Sequence, residues 1–147
     1  MLSVICPIYN EEKYIAKCIE SIVQQDYPKD KLEILFVDGM STDHTREIIE
    51  QYTKEYPYIR IIDNPDKVVP HAMNRGIMAS TGDVIIRLDA HAVYPTYYFS
   101  KLIKGLHQHQ ADNVGAQCRT LPVDQSTTSI AIAEALASSF GVGNAMF

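Results

Sequence analysis

Residues 84–95, Val-Ile-Ile-Arg-Leu-Asp-Ala-His-Ala-Val-Tyr-Pro, constrain this chain more than any other stretch. Four of the first five are apolar, and the run then breaks on Asp89 and His91. A near-continuous apolar run is how a parallel strand buried on both faces reads. The break falls where open α/β sheets bind ligands, outside the carboxyl ends of their strands. Side chains two residues apart on an extended backbone point to one side, so Asp89 and His91 can share a cation. The same pair reads equally as a strand-to-helix turn, with Asp89 as a turn former and His91 on the surface.

The rest of the chain repeats the pattern. Residues 2–6 form an apolar strand that stops at Pro7, before Tyr9 and Asn10; residues 32–37 form a second, ending in Asp38 and Gly39; residues 58–62 form a third. Between the first two, Tyr14, Ile15, Cys18, Ile19, Ile22 and Val23 give residues 11–25 a helical stripe. Glu11 and Glu12 fall in its first turn, where negative charge suits the helix dipole. Ser41, Thr42 and Asp43 are candidate N-caps for a helix over residues 45–56, with Ile48, Ile49 and Tyr52 inward. A short helix is expected over residues 71–80, then a turn at Thr81-Gly82-Asp83. Beyond the organising strand the pattern predicts a helix after Pro95, a fifth strand at residues 114–119 and a helix at residues 127–140.

This alternation predicts an α/β, Rossmann-like fold, a mainly parallel sheet with crossover helices on both faces. Residues 7–10, Asp38, Asp89 and His91 then gather along one edge as a crevice of carboxylates and one imidazole. Neither GxGxxG nor GxxxxGKS/T occurs, which weakens dinucleotide and P-loop readings.

The 147 residues, 46% apolar and 21% charged, fit one soluble globular domain with a real core. A net charge of −5 without a Lys/Arg cluster argues against nucleic acid as a partner. Cys6, Cys18 and Cys118 are widely spaced and read as reduced core thiols of a cytoplasmic protein, not a disulfide frame or a zinc site. The amino terminus lacks a basic n-region, and no run approaches the ~18 apolar residues of a membrane span.

Four pieces together resemble the family 2 glycosyltransferases, inverting sugar-nucleotide enzymes of the GT-A fold. They are Val4-Ile-Cys-Pro-Ile-Tyr-Asn-Glu-Glu12, Val37-Asp-Gly-Met-Ser-Thr-Asp-His-Thr45, Ala72-Met-Asn-Arg-Gly76 with Thr81-Gly-Asp83, and Leu88-Asp-Ala-His91. The form Arg87-Leu-Asp-Ala-His-Ala-Val-Tyr-Pro95 is similar to the subgroup that builds succinoglycan-type bacterial exopolysaccharides. The likeness implies that Pro7, Tyr9 and Glu11 wrap the base and ribose of a UDP-sugar, with Asn74 also at the nucleotide. It implies that Asp38 accepts from the uracil imide N–H and that Asp89 faces the ribose and the metal. His91 stands where the family's second Asp binds the divalent cation that clamps the diphosphate. A nitrogen ligand there favours Mn²⁺ over Mg²⁺.

Besides His91, the chain departs from the family in three places. Gly39 stands for a usual Asp and Met40 for the next Gly, and Met73 stands for a phosphate-facing Arg. Arg75, Lys67 or His71 could supply that charge instead. The general base expected of the family falls beyond Phe147. The resemblance thus implies a single donor-binding domain truncated on its acceptor side, inactive alone and prone to self-associate through exposed apolar surface. The acceptor would be a growing saccharide or lipid-linked chain, and the full-length parent would work in the cytoplasm or at the cytoplasmic face of the membrane. Two alternatives stay open, a nucleotidyltransferase and a non-catalytic nucleotide-binding module.

Overall fold

In the computed structural model, which describes residues 1–116, 119–122 and 124–138, β1 (Leu2–Ile8), β2 (Leu32–Asp38), β3 (Ile59–Asp63) and β4 (Val84–Arg87) form one sheet. All pairings are parallel, in the order β3-β2-β1-β4. The chain steps outward from β1 to β3 and then returns to the far side of β1. Right-handed crossovers put α1 (Ile15–Val23) and α2 (Thr45–Glu55) on one face and α3 (Val69–Ala79) on the other. The core beneath α3 is Ile5, Leu35, Val37 and Ala72, all buried. Reversing direction at β1 opens a switch point between β1 and β4, the place where such sheets hold ligands.

That opening is widened by unequal strand lengths. β4 has 4 residues against 7 in β1 and ends at Arg87, opposite Ile5. Ile5 directs its carbonyl to the Leu88 N–H at 2.9 Å, and Pro7, two residues on, faces the same side past the end of β4. No ladder bond is lost there, which explains a proline within an interior strand.

The other end of the sheet is locked by Glu33. Its carboxylate accepts from Ser3 Oγ at 2.6 Å, from Arg60 at 3.0 Å, and from the Thr81 N–H and hydroxyl. A Cβ on Gly82 would lie 2.5 Å from Ser3 Oγ, so only glycine lets this turn close. Thr81-Gly82-Asp83 is therefore a structural clasp, remote from the Asp89 end. Gly76 has a similar origin, since a Cβ there would sit 2.5 Å from Ile5 Cγ2 in the core.

Several boundaries shift for physical reasons. α1 begins at Ile15 and has no acid in its first turn, because the Glu11 and Glu12 N–H groups bond to the side chains of Thr45 and Asp43. β1 runs to Ile8, β3 spans Ile59–Asp63, and α3 starts at Val69 with Pro70 in its first turn. Of the expected fifth strand, residues 114–116 and 119 belong to no strand; Gly115 and Ala116 offer little to pack on a sheet. Gln117 and Cys118 lie outside the described residues, as does everything after Ser138, including the end of the expected last helix.

The chain divides into two compact units, Met1–Lys101 and Leu102–Phe147. α4 (Tyr98–Gln108) begins in the first, where Phe99 is fully buried and its N–H donates to Gln25 Oε1 at 3.1 Å. In the second, α5 (Thr127–Ala137) is capped by Ser126, whose hydroxyl accepts from the Ser129 N–H at 3.2 Å. Among the described residues no helix is long and apolar enough to cross a membrane. Cys6 and Cys18 are buried free thiols.

Two substitutions test this frame. Glu33→Ala should cost about 2 kcal/mol, by leaving the buried Ser3 hydroxyl without its acceptor and by releasing Arg60 and Thr81 to solvent. Burial pushes the Glu33 carboxyl up, but the bonds from Ser3, Thr81 and Arg60 outweigh it and hold it below its ordinary 4.5. A depressed carboxylate stabilises the fold above its unfolded value and loses that contribution as pH falls. The urea-midpoint gap between wild type and Glu33→Ala should therefore narrow below pH 4.5. Gly76→Ala should cost about 2 kcal/mol by pressing on Ile5, read as a lower melting temperature. A neutral result would mean that α3 lifts away freely.

Candidate functional site

The loops after β1 and β2 hold each other. The Asn10 N–H donates to Ser41 Oγ at 3.0 Å, and Asn10 Oδ1 accepts from the Thr42 N–H at 2.8 Å. The Glu11 N–H donates to Thr45 Oγ1 at 2.7 Å, the Glu12 N–H to Asp43 Oδ2 at 3.1 Å, and the His44 N–H to Glu12 Oε2 at 3.1 Å. Asn10 takes a left-handed φ of 55°, which asparagine tolerates, and so turns the chain toward its partner. Met40 holds φ 61°, a left-handed backbone that glycine adopts without strain. Gly39 lies under Tyr9, where a Cβ would approach the ring to 3.2 Å. The two motifs read from sequence are one interlocked structure.

Beside this structure, at the β1/β4 switch point, lies a pocket of about 300 Å³. Pro7, Tyr9, Glu11, Asp89 and His91 line it together. From Arg87 to His91 the residues alternate exposed and buried, with Leu88 and Ala90 anchored inward and Asp89 and His91 facing out on one side. His91 Nδ1 comes within 3.6 Å of Glu11 Oε1. Asp89 Oδ1 accepts from Arg87 at 3.1 Å, an exposed pair worth little to stability.

Asp38 and Asn74 fall elsewhere. Asp38, expected at the base edge, is 1% exposed and absent from the pocket lining. Its Oδ1 accepts from both the N–H and hydroxyl of Ser41, and its Oδ2 from Arg46 at 3.3 Å. Arg46 also reaches Asp63 at 2.6 Å, bridging two carboxylates that the register places side by side at the strand tips. Asn74 is exposed on α3, two residues from the buried Ala72 and hence on the side turned from the sheet.

Asn64 was not anticipated. It is 1% exposed, lines the pocket, and donates its backbone N–H to the Asp38 carbonyl at 2.7 Å. Its Nδ2 donates to the Val68 carbonyl at 3.1 Å, while its Oδ1 has no hydrogen-bond partner among the described residues. A buried acceptor left unpaired is costly unless something supplies a donor. From sequence, Asn64 before Pro65 reads only as a turn residue. Of the three candidate phosphate cations, Lys67 lines the pocket, whereas Arg75 and His71 pair with Asp66 at 2.8 and 3.0 Å. Arg87 lines it as well.

Among the described residues no three His, Cys, Asp or Glu side chains converge to hold a metal ion unaided. Glu11, Asp89 and His91 nonetheless line the same pocket and offer two carboxylates and an imidazole. That set fits an ion that takes one or two protein ligands and completes its shell with diphosphate oxygens and water. It does not fit a structural site closed by protein alone.

The Glycosyl transferase family 2 model matches residues 3–137. A curated relative from Methanococcus voltae, dolichyl N-acetyl-alpha-D-glucosaminyl phosphate 3-beta-D-2,3-diacetamido-2,3-dideoxy-beta-D-glucuronosyltransferase, is 44% identical over 102 residues, covering 68% of this chain and 32% of its own. The succinoglycan biosynthesis protein ExoA of Rhizobium meliloti is 33% identical over 142 residues, covering 95% and 42%. Among solved structures, the mannosyltransferase PcManGT from Pyrobaculum calidifontis, in complex with GDP-Man and Mn²⁺, superposes with a TM-score of 0.71 at 30% identity, over 92% of this chain and 40% of that one. The S. aureus TarS 1-349 complex with UDP-GlcNAc superposes at 0.67 and 23% identity, over 80% and 37%, a likeness of fold. The chain spans less than half the length of each. With its parallel sheet, its crossover helices and these matches, the chain belongs to glycosyl transferase family 2 and has the GT-A fold.

Proposed function

We propose that this chain carries the donor-binding half of an inverting, metal-dependent glycosyltransferase that moves a sugar from a UDP-sugar to a growing bacterial polysaccharide or lipid-linked acceptor. The observation that carries the reading is the outward alignment of Asp89 and His91 beside Glu11 at the switch-point pocket. In this reading Tyr9 and Pro7 flank the base and Glu11 approaches the ribose. Asn64 Oδ1 accepts the base N–H, with Asp38 one hydrogen bond behind it as the anchor of that edge. Asp89 and His91 hold the divalent cation, Mn²⁺ in preference to Mg²⁺ because of the imidazole. Such a cation, when bound, offsets charge on the departing diphosphate. Lys67 and Arg87 stand by the same oxygens and stabilise that charge electrostatically. The general base that deprotonates the acceptor hydroxyl is assigned to a segment outside residues 1–147. The protein is read as cytoplasmic, with the site turned to cytoplasmic nucleotide sugars.

The base is the finer question. An acceptor such as Asn64 Oδ1 suits the imide N–H of uracil and also the N1–H of guanine. The Pyrobaculum mannosyltransferase, 30% identical, holds GDP-Man, which favours GDP as the second reading.

Calorimetric titration of UDP and of GDP, each with Mn²⁺, with Mg²⁺ and with EDTA, tests the assignment. UDP should bind most tightly with Mn²⁺. His91→Ala should abolish the difference between Mn²⁺ and EDTA, and Asn64→Ala should weaken UDP about 5- to 10-fold in every buffer. Tighter binding of GDP would replace the donor, and an unaltered affinity in Asn64→Ala would remove the base contact.

A further inference from the structure

The residue that sets the aim of Asp89 lies five positions downstream of it. The last bond between β1 and the chain leaving β4 is Leu88 N–H to the Ile5 carbonyl. Beyond it the Asp89 peptide groups have no strand partner, yet both are satisfied. The Asp89 N–H donates to Tyr94 Oη at 2.9 Å, and Tyr94 Oη donates to the Asp89 carbonyl at 2.9 Å. One phenol closes both ends of a single residue, acting as acceptor and donor at once. The Cys18 thiol adds a 3.8 Å contact to the same carbonyl.

Tyr94 is itself tied to the helix layer. Its N–H donates to Ser21 Oγ at 3.1 Å, and Ser21 Oγ donates on to the Cys18 carbonyl at 2.7 Å. Its ring packs on Tyr98 with centroids 5.0 Å apart. Asp89 thus projects an exposed carboxylate from a backbone referenced to α1 and not to β4. A ligand held on a backbone fixed in this way meets a cation with less ordering left to do.

We propose that Tyr94 is a positioning residue for the metal–nucleotide site, its hydroxyl fixing the Asp89 peptide so that Asp89 and His91 face the pocket together. This rests on the reading of Asp89 and His91 as the cation-bearing pair. Tyr94 touches neither nucleotide nor cation; it acts through the peptide it holds.

The test is UDP calorimetry on wild type and Tyr94→Phe, each with Mn²⁺ and with EDTA, alongside the melting temperature. Phe keeps the ring packing and removes only the hydroxyl. Affinity with Mn²⁺ should fall about 10-fold, as for other residues that orient metal ligands, while affinity in EDTA changes less than about 2-fold. Ser21→Ala, which frees the Tyr94 N–H, should reproduce the selective loss to a smaller degree. An equal loss in both buffers, or none, overturns the positioning role. A wild-type protein whose UDP affinity ignores Mn²⁺ is recognisable before any variant is compared. It overturns the cation assignment and the positioning role with it.

Discussion

Adjacent parallel strands that end together leave two loops whose N–H groups have no strand left to bond, and this chain resolves that by bonding the loops to each other. Asn10 answers Ser41 and Thr42, Glu11 answers Thr45, and Glu12 trades with Asp43 and His44. Each such bond is worth about 1 kcal/mol at most, since all but the half-buried Glu11–Thr45 bond are exposed, and together they fix the two loops in one geometry. The interlock sets where Tyr9 and Glu11 stand, so one wall of the pocket is a by-product of backbone satisfaction. It also delays the start of α1, because groups that would open a helix are already engaged.

The pocket lining that follows β4 obeys a different rule. Past the end of β4, in a segment that turns at Ala90 and His91, Leu88 and Ala90 are buried while Asp89 and His91 stay outward, so the alternation of the strand carries on into the turn. Period-two patterning is visible in a bare sequence, which is why this pair was legible, as were the four strands and the doubly wound layering. Asp38 was legible as a strand-tip carboxylate, but its bonds to Ser41 and Arg46 were not. Whether a side chain at a strand tip faces the ligand or the neighbouring helix depends on Arg46, eight residues later, and no local pattern encodes that reach. Asn64 was hidden for the same reason, since its significance lies in an unpaired Oδ1 and not in its sequence neighbours. The expected fifth strand rested on a few weakly apolar residues around Gly115, too little to hold a pattern.

Charge is distributed to match. Asp66 engages Arg75 and His71, which takes two of the three candidate cations away from the pocket. Lys67 and Arg87 remain beside it, Arg87 paired with the exposed carboxylate of Asp89. The clasp around Glu33 sits at the far end of the sheet, so fold stability and ligand chemistry draw on separate residues.

The register of β4 on β1 also governs how the pocket comes into being. Leu2 pairs with Val84, a separation of more than eighty residues, whereas β1 meets β2 across about thirty. Closing the longer loop costs about 4 kcal/mol of chain entropy by the (3/2)RT ln n relation, before any constant. Pairings of that span slow folding, because their loop entropy is met before the contact repays it. The interlocked loops can assemble while β4 is still undocked, and the wall bearing Asp89 and His91 arrives with the final strand. During synthesis the residues of the interlock emerge before those of β4, so the scaffold can stand before the pocket side that bears Asp89 and His91 is built.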